Sequence, residues 1–234
     1  MRLATYQAWA SFMAQLEGSA NTFQVPATTA TQSGPATATW AMNGTGVVTN
    51  YCLYSEQFDN AAWGSLSGGT ATANTAVAPD GTTTADTINC AVVYRGLGQP
   101  TALAATVGAT YTFSVYLAGT VGQTCRIRVA NTTGTVTAAT TDVTLTAAFA
   151  RYSATVTLAG GATGVMDCWV AREAGQTAAS FYAWGAQLEL AAAASTYVRT
   201  TSATATSLAA FKVTGLTVSS TNMTAGQMLT IDGR

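Results

Sequence analysis

Alternation of apolar and polar positions with a period of two dominates the middle of the chain. Tyr111, Phe113, Val115 and Leu117 alternate with Thr112, Ser114 and Tyr116, and Cys125, Ile127 and Val129 alternate with Arg126 and Arg128. Tyr152, Ala154, Val156 and Leu158 alternate with Ser153, Thr155 and Thr157, and Met166, Cys168 and Val170 with Asp167, Trp169 and Ala171. Tyr182, Trp184, Ala186, Leu188 and Leu190 form a fifth series, with Gln187 and Glu189 on its polar phase. Each series is the signature of a half-buried strand. Turn residues separate them at Pro79-Asp80-Gly81, Val107-Gly108, Gly119 to Gly122, Thr133-Gly134 and Gly160-Gly161. Short strands at this spacing, with no helical pattern between them, predict an antiparallel β-sandwich or jelly roll.

The flanks read differently. Trp9, Phe12, Met13 and Leu16 fall on one face of a helix over Ala4 to Glu17, with Gly18 placed to end it. Phe23 and Val25 predict a short strand limited by Pro26, and Ala27 to Thr39 an extended loop or an edge strand. Beyond a low-complexity joint at Thr201 to Ser207, the segments Phe211 to Val213, Leu216 to Ser219 and Met228 to Ile231 predict two or three strands, with a turn at Ala225-Gly226. The simplest organisation is a mainly β protein: a sandwich over residues 50–205 inserted into a small split α+β or β domain made of residues 1–49 and 206–234.

Composition narrows the function. Charged residues make up 8% of the 234, against roughly 25% in an ordinary soluble domain. Thr, Ala and Gly take their place, as in extracellular or virion β-proteins. The net charge of −1 offers no basic stripe for nucleic acid, and no apolar run approaches the ~20 residues that span a bilayer. The N-terminus lacks the apolar core of a secretory signal, so release by host lysis is expected. With no histidine, triads and mixed Cys/His zinc sites are excluded. Cys52, Cys90, Cys125 and Cys168 show no paired spacing and are read as buried thiols, with a disulfide as the alternative.

Against this bland background Asn50 to Trp63 stands out for its aromatic, acidic and amide residues. The run Tyr54-Ser55-Glu56-Gln57-Phe58-Asp59-Asn60-Ala61-Ala62-Trp63 resembles the opening of jelly-roll modules of tailed-phage structural proteins. So do Pro79 to Thr82 with Ala85-Asp86, Tyr111 to Tyr116, and Trp184 to Glu189 with Thr196-Tyr197. Such modules are similar in shape to non-catalytic carbohydrate-binding modules. The flanking motifs, Trp9 to Phe12, Gln15 to Gly18, Asn21 to Phe23, Phe211 to Leu216 and Ala225 to Leu229, resemble phage tail-tip proteins of the distal-tail type, which usually carry an acidic residue where Gln227 stands.

The resemblance implies a structural virion protein, at the tail in preference to the capsid and assembled in the host cytoplasm. It would form a homo-oligomer, a hexameric ring in the distal-tail type, joined to other tail proteins. The alternative is a glycan-binding module of a fibre or capsid decoration protein. Trp169, Tyr116, Arg126 and Arg128 are the candidate sugar contacts, because an aromatic face offers an apolar platform beside polar partners. Trp63, Tyr94 and Tyr182 are further aromatic candidates, Trp63 and Tyr182 alternatively belonging to the core. Glu56, Asp59, Asp86 and Glu189 are candidate oxygen donors to a structural calcium ion, and otherwise acceptors for backbone N–H groups. Trp9, Phe12, Met13 and Leu16 are the candidate assembly face. Asp167 with Glu173, or Glu56 with Asp59, could in principle serve as acid and base for glycoside hydrolysis; with no supporting motif, no enzymatic activity is expected.

Overall fold

The computed structural model describes residues 22–25, 36–43, 47–208 and 212–219, and side-chain surroundings from 48 to 207. The strands in chain order are β1 (Thr22–Val25), β2 (Ala36–Asn43), β3 (Val47–Asn50), β4 (Gly64–Leu66), β5 (Thr70–Ala76), β6 (Ala85–Asn89), β7 (Arg95–Ala104) and β8 (Thr110–Ala118). They continue with β9 (Thr124–Gly134), β10 (Ala138–Thr144), β11 (Ala150–Thr157), β12 (Ala162–Arg172), β13 (Ser180–Glu189), β14 (Ala205–Leu208) and β15 (Lys212–Ser219). The chain divides into two compact units, Val47–Leu208 and the flanks on either side of it.

In the flank unit β2 lies between β1 and β15. Residues 36–39, read from sequence as loop or edge strand, therefore belong to a central strand, where alternating Thr and Ala suit a pleated backbone. The two C-terminal segments expected around Val213 and Thr217 are one strand, β15, with a register shift between Thr214 and Thr217. The expected helix face of Trp9, Phe12, Met13 and Leu16 and the strand at Met228 to Ile231 lie outside the described residues.

The central unit is an antiparallel sandwich of two five-stranded sheets, β10-β9-β12-β7-β4 and β11-β8-β13-β6-β5. The apolar phases identified in β8, β9, β11 and β12 point inward and form one core with Phe58, Trp63, Ile88, Leu145, Phe181 and Leu188. In β13 the alternation changes phase. Phe181 and Ala183 face the core before a bulge between Trp184 and Gln187, and Ala186 and Leu188 face it afterwards. Tyr182 and Trp184, taken from sequence as members of the inward series, lie on the outer side. Gly185 supplies the turn with φ +64°, and a Cβ there would stand 3.0 Å from the Tyr116 ring.

Part of the outer face of the second sheet is covered by residues 190–200, a strap that bonds to β8, β11 and β13. Val198 N donates to Gln187 Oε1 (2.7 Å), and Gln187 Nε2 donates to Glu189 Oε1 (2.9 Å) and Ser195 Oγ (3.1 Å). Thr112 Oγ1 donates to Ala191 O (2.8 Å), and Arg151 donates to Ser195 O and to Ser114 Oγ. These bonds satisfy polar groups that burial would otherwise leave costly, and they explain why Thr112, Ser114 and Gln187 are buried on an outward phase.

All four cysteines are buried and unpaired as disulfides, with Cys52 Sγ 3.6 Å from Cys168 Sγ. Burial pushes the Cys90 thiol up to about 11 and that of Cys125 to about 12. The thiolate is the nucleophile, so the native protein should show no reaction with a thiol reagent at pH 8 and four reactive groups after denaturation. Stoichiometric labelling of the native protein would contradict this.

Candidate functional site

The outer face of the first sheet follows directly from the core. Because Cys125, Ile127 and Val129 fill the interior from β9, Arg126 and Arg128 project outward; Met166, Cys168 and Val170 do the same for Asp167 and Trp169 on β12. The register sets Trp169 opposite Arg128 on one side and Gly98 of β7 on the other. The Arg128 guanidinium carbon lies 5.5 Å from the Trp169 ring centroid, a cation–π contact. Gly98 leaves room for the indole: a Cβ there would stand 3.0 Å from Trp169 Cβ and 3.6 Å from Leu66 Cδ1.

Asp167 precedes Trp169 by two residues on the same face. Its Oδ1 is covered yet has no hydrogen-bond partner. Burial pushes this carboxyl above its usual range, and the nearby Arg128 charge opposes that shift. The two groups feel one another but form no ion pair. Arg126, in contrast, is engaged: its Nε lies 2.6 Å from Asp142 Oδ1, which holds Asp142 below the usual carboxylate range. That pair is largely exposed, so it orders the surface more than it stabilises the fold.

Three of the four sugar contacts expected from sequence thus share one face. Tyr116 does not. It sits on β8 of the second sheet, beside the strap, with its ring 5.5 Å from Trp184, 6.3 Å from Tyr197 and 5.5 Å from the Arg151 guanidinium. The sandwich core separates it from Trp169, and its surroundings are those of a packing residue. Trp63 is also a core residue, stacked on Phe58 at 4.5 Å, with Nε1 donating to Tyr54 O. Tyr182 and Tyr94 are exposed, Tyr94 at φ +68°. Asp167 is in step with Trp169, as the strand alternation predicts, although it is not among the sugar contacts expected from sequence. Gly98 was missed, its signal being a glycine inside a strand.

The four acidic residues suggested for calcium do not form one ligand set, and no group of three potential ligands gathers among the described residues. Each buried carboxylate already has protein donors. Asp86 Oδ2 accepts from Phe58 N (2.6 Å) and Asp59 N (3.3 Å), and its Oδ1 from Asn74 N (2.8 Å). Glu189 accepts from Gln187 Nε2 and from Ser195 N and Oγ. Glu56 is ion-paired with Arg199 at 2.9 Å and accepts from Tyr197 OH at 3.1 Å. Burial raises the Glu56 carboxyl, and Arg199 and Tyr197 act against that rise. Asp59 is exposed. Of the carboxylate pairs, Asp167 lies within β12 and Glu173 just past its end at Arg172.

No protein-family model matches the sequence, and no curated protein matches it. Solved structures similar in fold include binding and catalytic modules of a Clostridium thermocellum endo-1,4-beta-D-xylanase (14% identity, TM-score 0.45, covering 61% of this chain and 28% of that one). A tailspike protein of bacteriophage CBA120 gives 14% identity and TM-score 0.45, over 61% of this chain and 21% of that one. A cyclase from Fischerella sp. TAU gives 13% and 0.41, over 74% and 100%. The chain therefore spans about a quarter of the first two proteins. At these identities the likenesses concern the sandwich fold and do not decide among binding, structural and catalytic functions.

Proposed function

We propose that the Val47–Leu208 sandwich is a non-catalytic glycan-recognition module, displayed on a tailed-phage virion by a flank unit that self-associates at the tail. The observation that carries the binding reading is the outer face of the first sheet. There the Trp169 indole and the Arg128 guanidinium lie side by side next to the Asp167 carboxyl, and among the described residues no crossing segment bonds to any of the three. An aromatic platform with a few convergent polar groups is the chemistry by which pyranose rings are held. The flank motifs supply the virion part, including assembly with copies of itself and with other tail proteins.

A glycan array tests the binding reading. Saturable capture of one glycan class is expected, weakened at least about tenfold in Trp169→Ala, whose melting temperature should stay close to that of the parent. Tyr116→Ala should instead keep the affinity and lower the melting temperature, since that ring packs against Trp184 and Tyr197. Equal affinity in parent and Trp169→Ala would remove the platform from consideration. A purely architectural role is the second reading. It is favoured by the insertion itself, since the sandwich interrupts a flank sheet whose strands β2 and β15 pair across it.

A further inference from the structure

The three groups around Trp169 have a charge balance that selects among glycans. Arg126 is neutralised by Asp142 within the face. Arg128 forms no hydrogen bond or ion pair among the described residues; its contacts are the Trp169 ring and the electrostatic influence of Asp167. Arg126 and Arg128 therefore stand against Asp142 and Asp167, and Glu173, whose charge also acts on Arg126, leaves the face with no positive excess. An anionic ligand gains no net field there and meets a carboxylate beside the guanidinium that has no ion-pair partner among the described residues. A neutral polyol meets something else: the Arg128 planar donor, and on Asp167 the outer oxygen Oδ2, which has no hydrogen-bond partner among the described residues, the inner Oδ1 being closed off.

We propose, building on the glycan-binding reading above, that this face recognises a neutral pyranose through two adjacent ring hydroxyls. One hydroxyl donates to the Asp167 carboxylate and its neighbour accepts from the Arg128 guanidinium, while the C–H face of the ring lies against Trp169. Hydrogen bonds to charged partners are among the stronger ones, and in a half-buried setting they discriminate by geometry. Uronic, sialic and phosphorylated sugars are excluded by Asp167. Because no net charge is neutralised, binding is insensitive to salt.

The test compares neutral hexose oligosaccharides with uronate- and sialate-containing ones on immobilised arrays, using the full chain at about 0.05 and 0.5 M NaCl. The expected result is capture of neutral glycans alone, unchanged by salt. Asp167→Asn, nearly isosteric, should weaken it about tenfold or more, and Arg128→Met should give a similar loss with the indole still covered. Melting curves check that each variant is folded. Capture of acidic glycans alone, falling with salt and strengthened by Asp167→Asn, would overturn the neutral-ligand inference while leaving glycan recognition standing. Loss in Trp169→Ala with both charge variants unaffected would also overturn it. No capture of any glycan by the parent would remove both readings.

Discussion

Replacing Asn50 by alanine should destabilise the sandwich by about 3–5 kcal/mol and lower its melting temperature by roughly 10 °C or more. Asn50 is fully buried, and its amide is used in both directions. Nδ2 donates to Ala186 O and Val198 O, each at 2.8 Å, while Oδ1 accepts from Cys52 N at 3.0 Å and Leu188 N at 3.2 Å. One side chain thus ties the first strand of the unit to β13 and to the strap. Alanine would leave two backbone donors and two acceptors unpaired in a site closed to water, which is why the cost exceeds that of a single hydrogen bond. Asn50→Asp should be at least as damaging, since it replaces both donors with an oxygen facing two carbonyls. Thermal unfolding of the three proteins checks this; melting within about 2 °C of the parent would show that the network is dispensable.

Asp86 should have the second-largest effect. It occupies an inward position of β6, opposite Ala183, and is buried although charged. Burial raises its carboxyl, while three backbone N–H groups pull the other way. Those groups belong to Phe58, Asp59 and Asn74, so Asp86 holds the first loop of the sandwich against β5. Asp86→Ala should cost about 3 kcal/mol, and Asp86→Asn less, because one amide oxygen still serves the Phe58 and Asp59 donors. Hydrogen exchange should locate the damage, with faster exchange at Phe58 and Asn74 than at the β9–β12 amides. Uniform acceleration throughout would point instead to global loosening.

The residues explain how far the fold could be read beforehand. In β8, β9, β11 and β12 large apolar side chains alternate strictly, because both neighbours and the opposite sheet need filling at every second position. β7 escaped notice: Gly96, Gly98 and Pro100 interrupt its alternation, although it lies between β12 and β4. β5 and β10 are mostly Thr and Ala on sheet edges, where little apolar volume is needed. In the candidate site, the outward phase of Trp169, Arg126 and Arg128 was legible from periodicity. Tyr116 shares that logic on β8. What periodicity does not encode is a later segment folding back: the strap packs Tyr197 against Tyr116, while no such segment bonds to Trp169 among the described residues. The acidic residues do not gather: Glu56 and Asp86 take partners from distant segments, Glu189 from its own strand and the strap, and Asp59 is exposed.

The paired joints β3 and β14 have a mechanical side. Val47 and Leu208, the first and last residues of the unit, are register partners. In an antiparallel pair that puts their Cα atoms about 5 Å apart. To the flank sheet the whole sandwich is thus equivalent to a tight turn, and its insertion demands no spreading of the strands that carry it. Tension arriving through the flanks pulls Val47 and Leu208 apart and peels the ribbon open one residue pair at a time, Val48 from Ser207 and then Thr49 from Thr206. Resistance is expected to rise where the ribbon reaches Asn50, whose side chain makes four hydrogen bonds, and force-extension measurement on Asn50→Ala checks this.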